Sequence, residues 1–131
     1  MVCFANFILK IQKNKLIAYK YLYGNHSPYK NFKYEIGKTY QIKTSDCETD
    51  ETILCGPGLN VATLEWCLRD TNCYINPNIS YIEVEFDPKD IVAIPYNSDG
   101  KFRVKKLKVI RKLSEKELEK ALKPLNPSKE K

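Results

Sequence analysis

The chain has 131 residues, of which 43% are hydrophobic and 29% are charged, as in a soluble globular protein with a single core. No apolar run approaches the roughly 20 residues that a membrane-spanning helix needs. The formal net charge is +6, but residues 1–43, 44–90 and 91–131 carry +7, −8 and +7, so an acidic middle is flanked by two basic segments.

The N-terminal third has the pattern of extended structure. Its opening is apolar but has no basic leader and no small-residue cleavage site, so we expect a strand and a cytoplasmic protein rather than a secreted one. The runs 7–12 and 16–23 are separated by a short polar break and predict a hairpin. Residues 24–31 predict a loop, in which His26 is solvated. Two further extended pieces follow around Gly37, with Tyr40 and Ile42 on one face.

The centre of the chain combines an acidic loop, a sharp turn and a helix start. Residues 45–51 hold four carboxylates but no Gly, which a calcium loop needs, so we interpret them as a solvated loop. The sequence Gly56-Pro57-Gly58 forces a turn. Asn60 then suits the cap of a helix over about 60–70, in which Trp66 and Cys67 pack against a sheet.

The last third predicts strands and one helix. Alternation over 82–86 predicts a strand, and 91–94 a buried one. Apolar residues at 102, 104, 107 and 109 predict a long basic strand with a bulge near Lys105-Lys106. Ser114 and Glu117 form a capping box, so a helix begins at Glu115.

These elements predict an α+β fold. We expect one domain over 1–123, with a mostly antiparallel mixed sheet of five to seven strands, a central helix and a C-terminal helix. Pro124 and Pro127 end the last helix, and residues 124–131 are expected to form a flexible polar tail.

The five cysteines have no zinc-site spacing, and the single His26 is far from them in sequence, so we expect no metal and no cofactor. Two interpretations remain open for the four central cysteines. They are either buried apolar side chains or partners in a disulfide, which would be unusual inside a cell. The candidates are Cys47, Cys55, Cys67 and Cys73.

Three segments together resemble the small domain of phage rIIB-type proteins and their viral and bacterial relatives. They are 34–40, 58–64 and 81–110, in matching order over about 34–112. The family usually has Gly-Leu-His-Val in the second segment, where this chain has Gly58-Leu59-Asn60-Val61. The resemblance implies a viral or mobile-element protein, in the host cytoplasm if viral, whose relatives have no agreed activity. A chemical role of that histidine would be lost here.

Three functions remain open. The first is a non-enzymatic interaction module for a protein or nucleic acid, since no catalytic residue or phosphate-binding loop is recognisable and no membrane partner is expected. The second is nucleic-acid binding by the basic strand 101–112, with Lys101, Arg103 and Lys105 on one outer face and Lys106 and Lys108 beside them. The alternative is a solvated strand whose lysines prevent edge pairing. The third is an enzyme with a pocket lined by Tyr19, Tyr21, Asn60 and Trp66.

Overall fold

The computed structural model describes residues 2–4, 7–24, 33–43, 45, 47, 49, 58–73, 75–95 and 99–125. Within these residues the chain forms nine strands and two helices. In chain order they are β1 (Val2–Phe4), β2 (Phe7–Gln12), β3 (Lys15–Tyr23), β4 (Thr39–Gln41), β5 (Leu59–Ala62), α1 (Leu64–Asp70), β6 (Ile79–Phe86), β7 (Ile91–Ala93), β8 (Lys101–Val104), β9 (Lys106–Lys112) and α2 (Glu115–Leu122).

The strands form one antiparallel sheet. Seven of them follow the order β4-β9-β6-β3-β5-β8-β7, and β2 pairs with β3 and with β1. The β2–β3 hairpin turns at Lys13 and Asn14, whose φ angles of 51° and 65° suit a tight two-residue turn. The α+β class, the hairpin, the central helix and the C-terminal helix are therefore confirmed.

A bend at Lys105 lets the sheet curl around its core. Strands β8 and β9 are continuous through this residue, yet β8 pairs with β5 and β7 whereas β9 pairs with β4 and β6. The Lys105 amide donates to the Asp90 carbonyl, and its own carbonyl accepts from the Ile42 amide, both at 2.8 Å. The bend joins the two arms of the sheet and keeps the apolar residues of both strands in the core. It takes the place of the bulge predicted near Lys105-Lys106, because the register shifts lie between Glu83 and Val84 and between Ile91 and Ala93.

The enclosed core comes from the inward side of five strands. Each strand contributes residues at every second position, because successive side chains point to opposite faces. The buried members are Leu16, Ala18 and Leu22 of β3, Leu59 and Val61 of β5, Ile82, Val84 and Phe86 of β6, Phe102 and Val104 of β8, and Leu107 and Val109 of β9, with Tyr34 beside them. Tyr40 and Ile42, which were predicted to share one face, both pack against this core.

The two helices cover part of the outer face of the sheet. Cys67 and Leu68 of α1 pack with Tyr81, Leu113 and Leu118 in a second apolar cluster. The capping box at the start of α2 is confirmed: the Glu117 amide donates to Ser114 Oγ at 3.2 Å, and the Ser114 amide donates to Glu117 Oε1 at 3.0 Å.

The structure differs from two predictions, and some predicted features lie outside the described residues. Strand β7 is not fully buried, because it lies at the edge of the sheet and leaves Ile91 and Val92 half-exposed. Lys123–Leu125, which include the first two residues of the predicted tail 124–131, form one 3-10 turn, and Leu125 packs against the outer cluster instead of belonging to a flexible tail. His26, the Gly56-Pro57 part of the turn, most of the acidic loop and residues 126–131 lie outside the described residues.

Two features are absent from the part of the chain that the structure describes. None of its helices has the length and apolar character to cross a membrane. Nor do the same residues contain three or more His, Cys, Asp or Glu side chains grouped so that they could hold a metal ion.

Candidate nucleic-acid interface

The basic stretch 101–112 is divided by the sheet into buried and exposed residues. Lys101 and Arg103 of β8 are buried, with 8% and 0% of their surface exposed. Lys105 is half-buried at the bend, whereas Lys106 and Lys108 of β9 are exposed. The predicted outer row of Lys101, Arg103 and Lys105 is therefore wrong as a solvent-facing surface, because the outer side of β8 is covered.

The exposed lysines lie on the β4 side of the sheet. Strand β4 pairs with β9 so that Gln41 is opposite Lys106 and Thr39 is opposite Lys108. Lys43, two residues beyond Gln41, is exposed as well. We call Lys43, Lys106 and Lys108 the lysine surface.

Two of the described acidic side chains, Glu85 and Asp87, lie near the lysine surface. Among the described residues, none of its three lysines forms an ion pair. Glu85 of β6 is opposite Lys108 in the sheet. The Lys15 ammonium holds the Asp87 carboxylate at 2.8 Å and is the main cause of its lowered pKa, to which Lys106 makes a smaller contribution. Within the described part of the chain, the lysine surface is therefore exposed and has no ion-pair partner.

Arg111, farther along β9, forms ion pairs within the protein. Its guanidinium contacts Glu117 of α2 at 2.7 Å and the buried Glu83 of β6 at 3.4 Å. Tyr19 donates to the same Glu83 carboxylate at 3.2 Å. This network ties α2 to the sheet, and we leave Arg111 out of the lysine surface for that reason.

Lys101 and Arg103 line the covered outer side of β8. Arg103 is opposite Asn60 of β5, and a Cβ placed on Gly58 would lie 3.5 Å from its Cδ. The Lys101 ammonium lies 5.5 Å from the centre of the Trp66 ring, a cation–π contact. Replacing either residue by Glu would bury a carboxylate in this layer, so a binding test must use other lysines.

A third buried cation, Lys20, lies on the core side of β3. Strands β3 and β5 pair only where Tyr19 faces Ala62. Next to this point Lys20 Nζ donates to the Asn60 backbone carbonyl and lies 5.1 Å from the centre of the Tyr34 ring. Burial, reinforced by the nearby charge of Lys101, lowers the Lys20 pKa to about 8. The charge pattern of the sequence does not distinguish this lysine from the exposed ones.

The predicted role of Gly58 and Asn60 as a turn and helix cap is wrong for Asn60. Residues 59–62 form β5, in which Leu59 and Val61 enter the core. The helix begins at Leu64, and Thr63 caps it by accepting a hydrogen bond from the Trp66 amide at 3.1 Å. A β-branched cap residue preceded by alternating apolar residues was the signal for a strand followed by a helix.

Aromatic side chains form a short row on the outer face beside α1. The Tyr21 ring is stacked on Trp66, with centres 6.5 Å apart and an angle of 25°. Tyr23 meets Tyr21 edge-to-face at 6.2 Å, and 54% of its surface is exposed. The sequence prediction that Trp66 packs against the sheet is confirmed. The sequence analysis proposed a pocket lined by four residues, Tyr19, Tyr21, Asn60 and Trp66. Two of them, Tyr21 and Trp66, are in contact in the structure.

Three cysteines have described side chains, and none of them is bonded to another. No disulfide joins any two of Cys47, Cys67 and Cys73, and Cys55 lies outside those residues. Cys67 has 1% of its surface exposed on the inner side of α1, and burial raises its pKa to about 12. For Cys67 the interpretation as a buried apolar side chain is thus correct.

We expect Cys67 to resist alkylation in the folded protein. The thiolate is the reactive form, and both burial and the raised pKa of the Cys67 thiol suppress it. Iodoacetamide at pH 8 followed by peptide mass spectrometry should modify the half-buried Cys47 first and modify Cys67 only in urea. Equal rates at the two positions without urea would contradict the buried placement.

No protein-family model, curated protein or solved structure matches the chain.

Proposed function

We propose that this chain is a non-catalytic interaction module that binds nucleic acid through the lysine surface. One observation carries the proposal: Lys106 and Lys108 of β9 and Lys43, two residues beyond β4, are exposed, and within the described residues they have no ion-pair partner. Phosphates bind such lysines because contact releases the counterions condensed on the nucleic acid. Thr39 and Gln41 on the same side add polar groups that suit a phosphate backbone.

The same lysines would also prevent unwanted pairing at the edge of the sheet. Lysines at sheet edges commonly serve that purpose. However, Lys106 and Lys108 belong to β9, which is already paired on both sides by β4 and β6. Protection of an edge therefore explains Lys43, next to the edge strand β4, better than it explains these two, and this difference favours binding.

The resemblance to phage rIIB-type domains adds a proposed source, a virus or mobile element, and no chemistry. We do not assign a catalytic role to Asn60, since its backbone carbonyl is held by Lys20 and its side-chain amide donates to the Gly58 carbonyl at 3.4 Å. An acidic protein is the alternative partner for the same lysines.

Reversing the charge of Lys106 and Lys108 should abolish most of the binding. We expect the variant Lys106→Glu/Lys108→Glu to lose about tenfold or more in affinity for a labelled oligonucleotide, and its salt dependence to flatten by roughly two counterions. Fluorescence anisotropy at two salt concentrations measures both effects.

The matched control is Lys116→Glu/Lys120→Glu, which makes the same change in net charge on exposed positions of α2. If binding requires the lysine surface, this control should retain most of the affinity, because it changes the net charge without changing that surface. Equal losses in the two variants would show attraction by net charge without a defined surface. Absence of salt-dependent binding in the unmodified protein would overturn the proposal and direct attention to acidic proteins.

A further inference from the structure

We infer that the row formed by Tyr23, Tyr21 and Trp66 stacks an unpaired base, so that the partner is single-stranded nucleic acid. This inference rests on the proposed function and names its substrate class. Bases stack on aromatic side chains with a favourable free energy of about 1 to 3 kcal/mol each, and this interaction requires that the base is not paired within a duplex.

The exposed ring of Tyr23 carries the inference. It lies at the end of β3 with 54% of its surface exposed, although a large aromatic side chain is costly to leave in water. Its edge-to-face contact with Tyr21, at 87°, fixes its orientation. Tyr21 is held in turn by its hydroxyl, which lies 2.5 Å from the Asp70 carboxylate, and by the stacked Trp66. The result is an exposed ring on a rigid support.

The charges around the row indicate what it would accept. The Glu65 carboxylate is paired with Arg69 at 2.6 Å, so this pair adds little net field. The exposed Asp70 carboxylate repels a phosphate but accepts hydrogen bonds from an exocyclic amino group of a base. The base therefore faces the rings and the backbone runs away from Asp70, which favours cytosine or adenine over thymine.

A single strand could contact the row and the lysine surface together. Tyr23 is opposite Ile79 at the start of β6, and Lys108 is opposite Glu85 near its end. Six residues of a strand span about 20 Å. An oligonucleotide of about 12 residues is within the range of single-strand sites on small β domains, roughly 4 to 16 nucleotides, and is long enough to reach both.

The experiment uses the full chain and the fluorescence of Trp66, its only tryptophan. The single-stranded oligonucleotides dC12 and dT12 and a 12-base-pair duplex are titrated into the unmodified protein, Tyr23→Ala, Tyr23→Phe and Lys106→Glu/Lys108→Glu. We expect dC12 to change the Trp66 emission and to bind more tightly than dT12. Tyr23→Ala should weaken dC12 by about fivefold or more and leave the duplex unchanged, and Tyr23→Phe should restore binding because it keeps the ring.

The outcomes separate the two proposals. If binding depends on salt and on the lysine surface, but Tyr23→Ala has no effect and Trp66 emission does not respond, the aromatic row is only packing and the proposed function stands. If the lysine variant binds dC12 as tightly as the unmodified protein and with the same Trp66 response, the row binds bases and the lysine surface is not the main contact. Tighter binding of dT12 than of dC12 would overturn the assigned preference.

Discussion

Replacing Gly100 by Ala is expected to lower the free energy of unfolding by about 3 to 5 kcal/mol. Gly100 has a φ of +151°, which L side chains rarely adopt. A Cβ at this position would also lie 2.7 Å from Thr63 Oγ1 and 3.0 Å from Trp66 Cβ. The backbone strain and the steric overlap act together, because neither of these two atoms is at the flexible end of a long side chain.

The steric overlap involves Thr63, the residue that caps the start of α1. The Thr63 amide donates to the Gly100 carbonyl at 3.0 Å, and Thr63 Oγ1 accepts from the Trp66 amide. Displacing Thr63 would therefore remove the helix cap, which is worth about 1 kcal/mol, and disturb the contact between α1 and β8. The effect of the substitution thus extends from the turn into the outer cluster.

Urea unfolding followed by Trp66 fluorescence measures the loss, and Gly37→Ala is the control. Gly37 also has a positive φ, +87°, but a Cβ there meets nothing within 4 Å. This control carries the backbone strain without the overlap, and we expect it to cost about 1 to 2 kcal/mol. Equal losses in the two variants would show that the approach of Gly100 to Thr63 is not a tight constraint.

Alternation of apolar residues predicted the strands that build the core. Phe102, Val104, Leu107 and Val109 are all buried as expected, and the slip in their spacing located the bend at Lys105. The capping box likewise located the start of α2, because both hydrogen bonds join residues only three positions apart. Patterns of this kind involve residues that are close together in the chain, so they can be recognised from the sequence alone.

Asn60 shows where local signals compete. An Asn after a Gly-rich turn suits a helix cap, but Leu59 and Val61 gain more by entering the core from a strand. The helix therefore starts three residues later than a cap at Asn60 implies, after Thr63.

The candidate site was predicted only in part, since burial of the outer face depends on tertiary packing. A period of two correctly places Lys101 and Arg103 on one side of β8, but it cannot show that this side is covered. Telling the buried Arg103 from an exposed residue such as Lys106 would have required knowing that Trp66 of α1 and Gly58 pack over the outer side of β8. The row from Tyr23 to Trp66 also joins residues far apart in sequence.

A rise in stability between pH 7 and pH 9 is expected for the unmodified protein and not for Lys20→Met. Lys20 has 8% of its surface exposed, and burial lowers its pKa from 10.5 to about 8. A shift of this size corresponds to roughly 3 kcal/mol by which the folded state disfavours the charged lysine. The ammonium is retained in the fold because it donates to the Asn60 carbonyl and faces the Tyr34 ring.

The direction follows from the number of protons bound in each state. Below pH 8 both the folded and the unfolded chain hold the Lys20 proton, so the full cost of burying the charge is present. Between pH 8 and 10.5 the unfolded chain keeps the proton and the folded chain does not, so stability rises with pH. From pH 7 to pH 9 the expected rise is about 1 kcal/mol.

Other buried groups limit the useful range of pH. Burial raises the pKa of Cys67 from 9.0 and that of Tyr19 from 10.0, in each case to about 12. Around and above pH 9 the unfolded chain releases these protons before the folded chain does, which lowers the stability of every variant and opposes the rise caused by Lys20. The comparison between variants must therefore be made at pH 9 or below.

Urea unfolding of the unmodified protein, Lys20→Met and the surface control Lys116→Met at pH 7 and pH 9 measures the difference. The unmodified protein and the control should both gain stability over the range, and Lys20→Met should not. The absolute stability of Lys20→Met at pH 7 is less informative, because removing the buried charge is offset by leaving the Asn60 carbonyl without this donor. An equal rise in all three proteins would show that Lys20 keeps its ordinary pKa. Burying the charged ammonium next to the Tyr19–Ala62 pair would then not lower the free energy of unfolding.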